Sequence, residues 1–324
     1  MEAWRSEPFR PAAGLSSPHA QTIFARFARS ARVPPLRRER WELDDGDFLD
    51  ADVLPGGPDT PWILVLHGLE GSSSAGYVSS ILRGAHRRGW GAVALNFRSC
   101  GGEPNRLPRF YHSGEIGDVA EALRRLRPRT TGPLLGVGFS LGGNVLLRHL
   151  QEEGESSPLH AAAAISVPFD LAVCAEAIDR GRGVVSIYRS LFLRSLRSKA
   201  LEKARCHPGS LDPDAIERAR GIVEFDDAVT APLHGFPSAR AYYEASSSGP
   251  RLAEIRRPTL CISAADDPMV PASCLPRAGS PLVSMCVTPN GGHVGFVGGS
   301  LPRPRFWAEA EALRFLEGSV GSLR

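Results

Sequence analysis

The stretch Leu134-Leu135-Gly136-Val137-Gly138-Phe139-Ser140-Leu141-Gly142-Gly143-Asn144-Val145 joins an apolar run to a helical pattern through a Gly-x-Ser-x-Gly turn. Leu134–Phe139 suits a strand buried on both faces, and Leu141–Gln151 suits a helix. A tight strand-to-helix turn forces its central residue into a strained conformation and crowds its neighbours, so those neighbours need hydrogen in place of Cβ. Gly138, Gly142 and Gly143 meet that need, and the geometry presents the Ser140 hydroxyl as a candidate nucleophile. A dinucleotide fingerprint fits poorly, because Leu141 stands where that pattern needs glycine.

Outward from this turn the chain alternates. Trp62–Leu66 and Ala92–Asn96 read as buried strands, with helices expected over Tyr77–Arg88 and Glu115–Arg127 and a further strand over Ala161–Val167. Strand-helix alternation implies a parallel, doubly wound sheet. Two short strands, Glu39–Leu43 and Leu49–Leu54, precede it. After Pro168 the strand signal stops, and residues 168–250 carry helical periodicity, as expected of a helical cap inserted after the sixth strand. Within it Val184, Ile187, Tyr188, Leu191, Phe192 and Leu196 recur at helical spacing, which predicts core packing. Alternation resumes with strands Thr259–Ala264 and Leu282–Thr288 and a closing helix Arg305–Leu316. The expected fold is α/β, the α/β-hydrolase fold, with a mostly parallel sheet. The expected division is an N-terminal arm over 1–35, a core over 36–167 and 251–324, and the cap over 168–250.

Composition narrows the class. A net charge of +3 gives no reason to expect a nucleic-acid partner. Residues 1–40 are basic, with eight arginines against three glutamates. Such an arm either lies solvated along the domain or makes at most a peripheral contact with an anionic membrane. No run approaches about 18 uninterrupted apolar residues, so no spanning helix is expected. The first residues lack the apolar segment of a signal peptide. The six cysteines show no CxxC pair and no Cys/His metal spacing. They read as reduced thiols of a cytoplasmic protein, with no metal site expected.

A serine hydroxyl is a weak nucleophile and needs a base that is itself held by an acid. In this fold the order along the chain is Ser, then Asp or Glu, then His. Asp266-Asp267-Pro268-Met269-Val270-Pro271 follows the strand Thr259–Ala264, and strand C-termini are where such sheets place functional groups. The Asp-Pro-x-Val-Pro frame points to Asp267 as the acid, with Asp266 in a supporting or turn role. His293, in Gly291-Gly292-His293-Val294-Gly295 after the last strand, is the candidate base; the other histidines precede the acid loop and break the order. His67-Gly68-Leu69-Glu70-Gly71 ends the strand Trp62–Leu66, where the fold supplies an oxyanion-hole amide. That donor is assigned to Leu69 and the second to Leu141.

Several blocks then resemble one family. His67–Gly71 with Ser72-Ser73-Ser74 and Tyr77 resembles the HGLEGSS block of the YheT-like α/β-hydrolases, bacterial relatives of eukaryotic ABHD-type lipases. Asn96–Arg106 resembles their NFRGCGGEPNR, with Ser99 in place of Gly. Tyr111-His112-Ser113-Gly114-Glu115, Phe225-Asp226-Asp227, Thr230-Ala231-Pro232 and His19-Ala20-Gln21-Thr22 agree as well. The resemblance implies a carboxylic-ester hydrolase that uses the triad above, needs no cofactor, and takes a small-molecule ester, with lipid esters one candidate class. Thioesterase or amidase chemistry on the same triad, or a ligand-binding protein that has lost turnover, stay open as alternatives. Arg98, Glu103 and Arg106 follow a strand end and either line the pocket or form a buried ion-pair network. Tyr111 carries the same two readings, and His67 is held as a supporting residue of its loop.

Overall fold

The computed structural model describes residues 4–29, 33–276 and 279–321. Arg32 of the basic arm lies outside the described residues. Eight strands form the main sheet: β1 (Arg37–Glu42), β2 (Phe48–Leu54), β3 (Trp62–Leu66), β4 (Gly91–Asn96), β5 (Leu134–Phe139), β6 (Leu159–Ile165), β7 (Thr259–Ala264) and β8 (Val283–Thr288). Their order is β1-β2-β4-β3-β5-β6-β7-β8. The pairs β1–β2 and β2–β4 are antiparallel, and from β4 to β8 the sheet is parallel.

The continuous apolar strands divide between two cores because successive side chains point to opposite faces. From β3, Trp62, Leu64 and Leu66 enter one core and Ile63 and Val65 the other. From β5, Leu135, Val137 and Phe139 share the second core. That second face is covered by α2 (Gly76–Arg87) and by the C-terminal helix, Trp307–Gly321, through Ile81, Leu82, Leu313 and Leu316. The first face is covered by α3 (Gly117–Leu126) and α4 (Leu141–Glu153), through Val119, Leu123, Val145 and Leu146.

The chain runs from β3 to β4 on one side and then returns to β5 on the other. The crevice at the C-terminal ends of β3 and β5 is therefore the topological switch point, where open α/β sheets bind ligands. The loop after β3 and the turn after β5 both open there.

Between β6 and β7 the chain adds helices instead of strands. These are α5 (Leu171–Arg180), α6 (Val184–Cys206), α7 (Pro213–Arg218), α8 (Ile222–Phe225), α9 (Ala231–Leu233) and α10 (Ala239–Ser246). Asp170 and Ser238 cap α5 and α10 by accepting from the amides of Val173 and Ala241, at 3.0 and 3.2 Å. The helices share their own apolar cluster, which includes Leu171, Leu193, Ile216, Phe225 and Tyr242. Phe192 and Leu196 pack against it. The expectation of core packing fails for Ile187 and Leu191, which are 57% and 59% exposed. They lie on the outer face of α6, and spacing alone does not separate the inner stripe from the outer one.

One helix and one hairpin lie outside the pattern expected from the sequence. Helix α1 (Pro18–Ala28) occupies the N-terminal arm. A hairpin of β9 (Val297–Ser300) and β10 (Arg303–Phe306) precedes the C-terminal helix, which starts at Trp307 and not at Arg305. Among the described residues no helix is long and apolar enough to cross a membrane.

Candidate active site

Ser140 sits between β5 and α4 with φ 51° and ψ −120°. Positive φ is costly for a residue with a Cβ, and the structure fixes it from both sides. The Ser140 N–H donates to Ile165 O on β6 at 2.8 Å, and its carbonyl accepts from Asn144 N–H at 3.0 Å. The close approach explains the glycines. A Cβ on Gly142 would lie 2.3 Å from the His67 carbonyl oxygen, and one on Gly138 would lie 2.5 Å from the Gly142 carbonyl oxygen.

The loop that carries Asp267 leaves β7 and the loop that carries His293 leaves β8, so both reach the same edge of the sheet as Ser140. His293 Nε2 stands 2.9 Å from Ser140 Oγ, and His293 Nδ1 stands 2.8 Å from Asp267 Oδ2. Nδ1–H donates to the carboxylate, which leaves the Nε2 lone pair facing the hydroxyl. The other carboxylate oxygen, Asp267 Oδ1, accepts from the amides of Met269 and Val270 at 2.9 and 3.0 Å. The Asp267 side chain is buried, so its charge is balanced by these donors and the imidazole, with little help from water. Asp266 points elsewhere. Its Oδ1 accepts from Gly292 N–H at 2.9 Å and holds the His293 loop from outside.

The loop after β3 is pinned amide by amide. Gly68 N–H donates to Tyr77 Oη at 3.1 Å, Glu70 N–H to Tyr111 Oη at 2.8 Å, and Gly71 N–H to Gly68 O at 3.0 Å. Among the described residues neither the Leu69 N–H nor the Leu141 N–H, in the first turn of α4, has a hydrogen-bond acceptor. Such orphan amides, one in the loop after β3 and one at the N-terminus of α4, suit a developing negative charge. His67 is fully buried beneath this loop, its Nδ1–H donating to Gly68 O at 2.8 Å and its Nε2 accepting from Phe97 N–H at 3.2 Å. Burial pushes its pKa down to about 4, so the ring is neutral and its work is structural.

The ambiguous residues now separate. Arg98 is buried in an ion network, with Nη2 2.8 Å from Asp118 Oδ1 and Nη1 2.8 and 2.9 Å from Asp45 Oδ2 and Asp47 Oδ2. It ties the loop after β4 to the loop between β1 and β2, and it is not part of the lining of the cavity described next. Glu103 pairs with Arg40 at 2.8 Å and, with Arg106, Glu70, Cys100 and Lys199, lines a cavity of about 940 Å³. Ser140, Asp267 and His293 are not part of that lining. Tyr111 is buried, and its hydroxyl also donates to Glu70 Oε1 at 2.9 Å.

Sequence reasoning missed two supports of this site. Glu70 accepts from Lys199 at 2.9 Å and from Ser195, both on α6, and so links the loop after β3 to the helical segment. Ser166, just past β6, accepts from Val294 N–H at 3.0 Å, next to His293. No local signal marks either one, because both partners are distant in the chain.

The chain is similar to known proteins. Residues 63–310 match the model of the alpha/beta hydrolase family. The chain is 40% identical over 314 residues to the "Putative esterase YheT" of Escherichia coli (strain K12), covering 94% of this chain and 92% of that protein. It is 27% identical to phospholipase ABHD3 of Homo sapiens, over 97% of this chain and 80% of that one. Among solved structures, the Pyrococcus furiosus esterase Pf2001 superposes with a TM-score of 0.57 at 16% identity, covering 96% of this chain and 99% of that one, a likeness of fold.

Proposed function

The chain belongs to the α/β hydrolase family and, within it, to the YheT-like group; from that premise we propose that it is a serine hydrolase that cleaves carboxylic esters through an acyl-enzyme on Ser140. The observation that carries this reading is the unbroken relay from Ser140 Oγ to His293 at 2.9 Å and from His293 to Asp267 at 2.8 Å. His293 Nε2 takes the hydroxyl proton as Ser140 Oγ attacks the ester carbonyl. Asp267 fixes the tautomer and stabilises the imidazolium that forms. The amides of Leu69 and Leu141 receive the oxyanion, each worth a few kcal/mol in comparable sites. His293 then protonates the leaving alcohol, activates water, and returns Ser140 to its starting state as the acid product departs. Every proton moves between groups of this chain, water and substrate, so no metal or organic cofactor enters a step.

The relatives, named an esterase and a phospholipase, favour an ester over a thioester or amide and make a lipid ester one candidate. In this reading residues 168–250 form a cap over the switch point, and a small-molecule ester is the partner the chemistry requires. We place the activity in the cytoplasm, the compartment that fits the scattered, unpaired cysteines. The test is hydrolysis of p-nitrophenyl esters of graded chain length, with matched thioesters and anilides, by wild type and Ser140→Ala. The reading predicts ester turnover that falls at least about 10³-fold in Ser140→Ala. Turnover that survives the substitution overturns it.

A further inference from the structure

The chemistry above leaves His19-Ala20-Gln21-Thr22 without a role, yet this segment of α1 lies directly on the base loop. Thr22 Oγ1 accepts from the backbone N–H of His293 at 2.9 Å, while its own hydroxyl donates to Pro18 O at 2.8 Å. The side-chain amide of Gln21 is fully buried and pairs with both backbone groups of Val297. Its Oε1 accepts from Val297 N–H at 2.6 Å, and its Nε2 donates to Val297 O at 3.1 Å and to Leu15 O at 2.6 Å. At the end of the helix the Arg29 guanidinium donates to Val294 O at 2.6 Å and to Gly295 O at 3.2 Å, and pairs with Glu309 at 2.7 Å. A helix near residue 20 thus grips the loop at His293 and along the four residues that follow it.

That loop needs holding. Gly292, Val294 and Phe296 all have positive φ, at 59°, 53° and 46°. A β-branched residue in the left-handed region persists only where its surroundings over-determine it. The packing leaves no slack, since a Cβ on Gly292 would meet Pro18 O at 2.3 Å and Thr22 Oγ1 at 2.7 Å. Among the described residues that fix the loop, Thr22 is the one bonded to the backbone of His293 itself.

We propose that α1 is a positioning element of the active site, in which Thr22, backed by Gln21, sets where the His293 ring meets Ser140. The inference rests on the triad reading above. Thr22 and Gln21 act through the base loop, as positioning residues. Misplacing a reacting group by about 1 Å costs on the order of 10²-fold in rate. Thr22→Val keeps the shape and removes the acceptor, freeing the His293 amide. Thr22→Ser keeps the acceptor and drops only the methyl.

The experiment follows fluorophosphonate labelling of the full chain and reads the pseudo-first-order rate constant, which does not depend on how much of a preparation is folded. It is paired with kcat and KM for an ester substrate. The expected result is a ten- to hundredfold fall in labelling rate and kcat for Thr22→Val, KM within about threefold of wild type, and restoration to within about threefold by Thr22→Ser. Thr22→Ala removes the same acceptor without a β-branch and is expected to behave as Thr22→Val does. Equal labelling rates for wild type, Thr22→Val and Thr22→Ala overturn the inference, even where thermal stability drops, because a merely structural role lowers stability and leaves the rate per labelled molecule unchanged. A fall that Thr22→Ser does not rescue overturns it too. Absence of labelling at Ser140 in wild type defeats the triad reading instead, so the two failures are distinct.

Discussion

Replacing Asp267 by Asn changes one atom at the centre of the proposed relay and little else. Asn can keep its Oδ1 toward the amides of Met269 and Val270, which Asp267 Oδ1 holds at 2.9 and 3.0 Å. The loop should therefore stand. The amide NH₂ then takes the place of Oδ2, 2.8 Å from His293 Nδ1. Two donors cannot face each other, so the ring must present its Nδ1 lone pair and carry its proton on Nε2. Nε2 lies 2.9 Å from Ser140 Oγ and becomes a donor to the hydroxyl it should deprotonate. The base is lost while the geometry survives. By the precedent of the equivalent change in other serine triads, kcat should fall by roughly 10³- to 10⁴-fold, which is about 4–5.5 kcal/mol of barrier. Asp266→Asn is the internal control. It keeps an oxygen for Gly292 N–H and should cost less than about tenfold. The assay is steady-state ester hydrolysis near neutral pH, with urea denaturation to show that both variants remain folded. If Asp267→Asn stays within tenfold of wild type, or Asp266→Asn loses as much as Asp267→Asn, the assignment of the acid is wrong.

Three further outcomes follow from the same geometry. Arg98→Met strands the buried Asp118 carboxylate, which burial already pushes upward in pKa despite Arg98 beside it; it should cost about 3–5 kcal/mol of stability with kcat per folded molecule nearly unchanged, and a lost kcat at full stability would return Arg98 to the pocket. His67 and His149 are held neutral by burial, each with its pKa pushed down to about 4. A lowered folded pKa gives stability that is present above about 6.5 and lost as pH falls toward 4. His67 alone is worth roughly 3 kcal/mol over that window at about 1.4 kcal/mol per tenfold change in proton affinity, and a urea midpoint that is flat from pH 7.5 to 4.5 contradicts the burial argument. On α6, Leu193→Ala should cost about 2–5 kcal/mol because Leu193 is 4% exposed, whereas Leu191→Gln, at a position 59% exposed, should stay within about 0.5 kcal/mol of wild type; equal costs would mean α6 packs differently in solution.

Much of the core, and the residues that meet at the candidate site, could be read from the sequence for physical reasons. β3, β5 and β7 run over the residues expected of them, because strands buried on both faces leave continuous apolar runs bounded by turn residues. Ser140, Asp267 and His293 stand within hydrogen-bond reach because strand order and strand ends are set by those runs, and the loops that carry the three residues leave the same edge. Helix α1 was illegible because its pattern is inverted: Gln21 is fully buried while Ile23 and Phe27 are 41% and 79% exposed. The hairpin of β9 and β10 was hidden by Gly298, Gly299, Pro302 and Pro304, residues that argue against strand in any window. Arg98 was undecided because its partners Asp45, Asp47 and Asp118 come from other elements, and no local pattern names them.

The central claim is that Ser140 carries the acyl group. The most direct measurement is intact mass and peptide mapping of the enzyme quenched during turnover of a slowly deacylating ester. The account predicts an added mass of one acyl group per chain, mapped to the peptide containing Ser140, and none in Ser140→Ala. An adduct on another residue, or one that persists in Ser140→Ala, contradicts it.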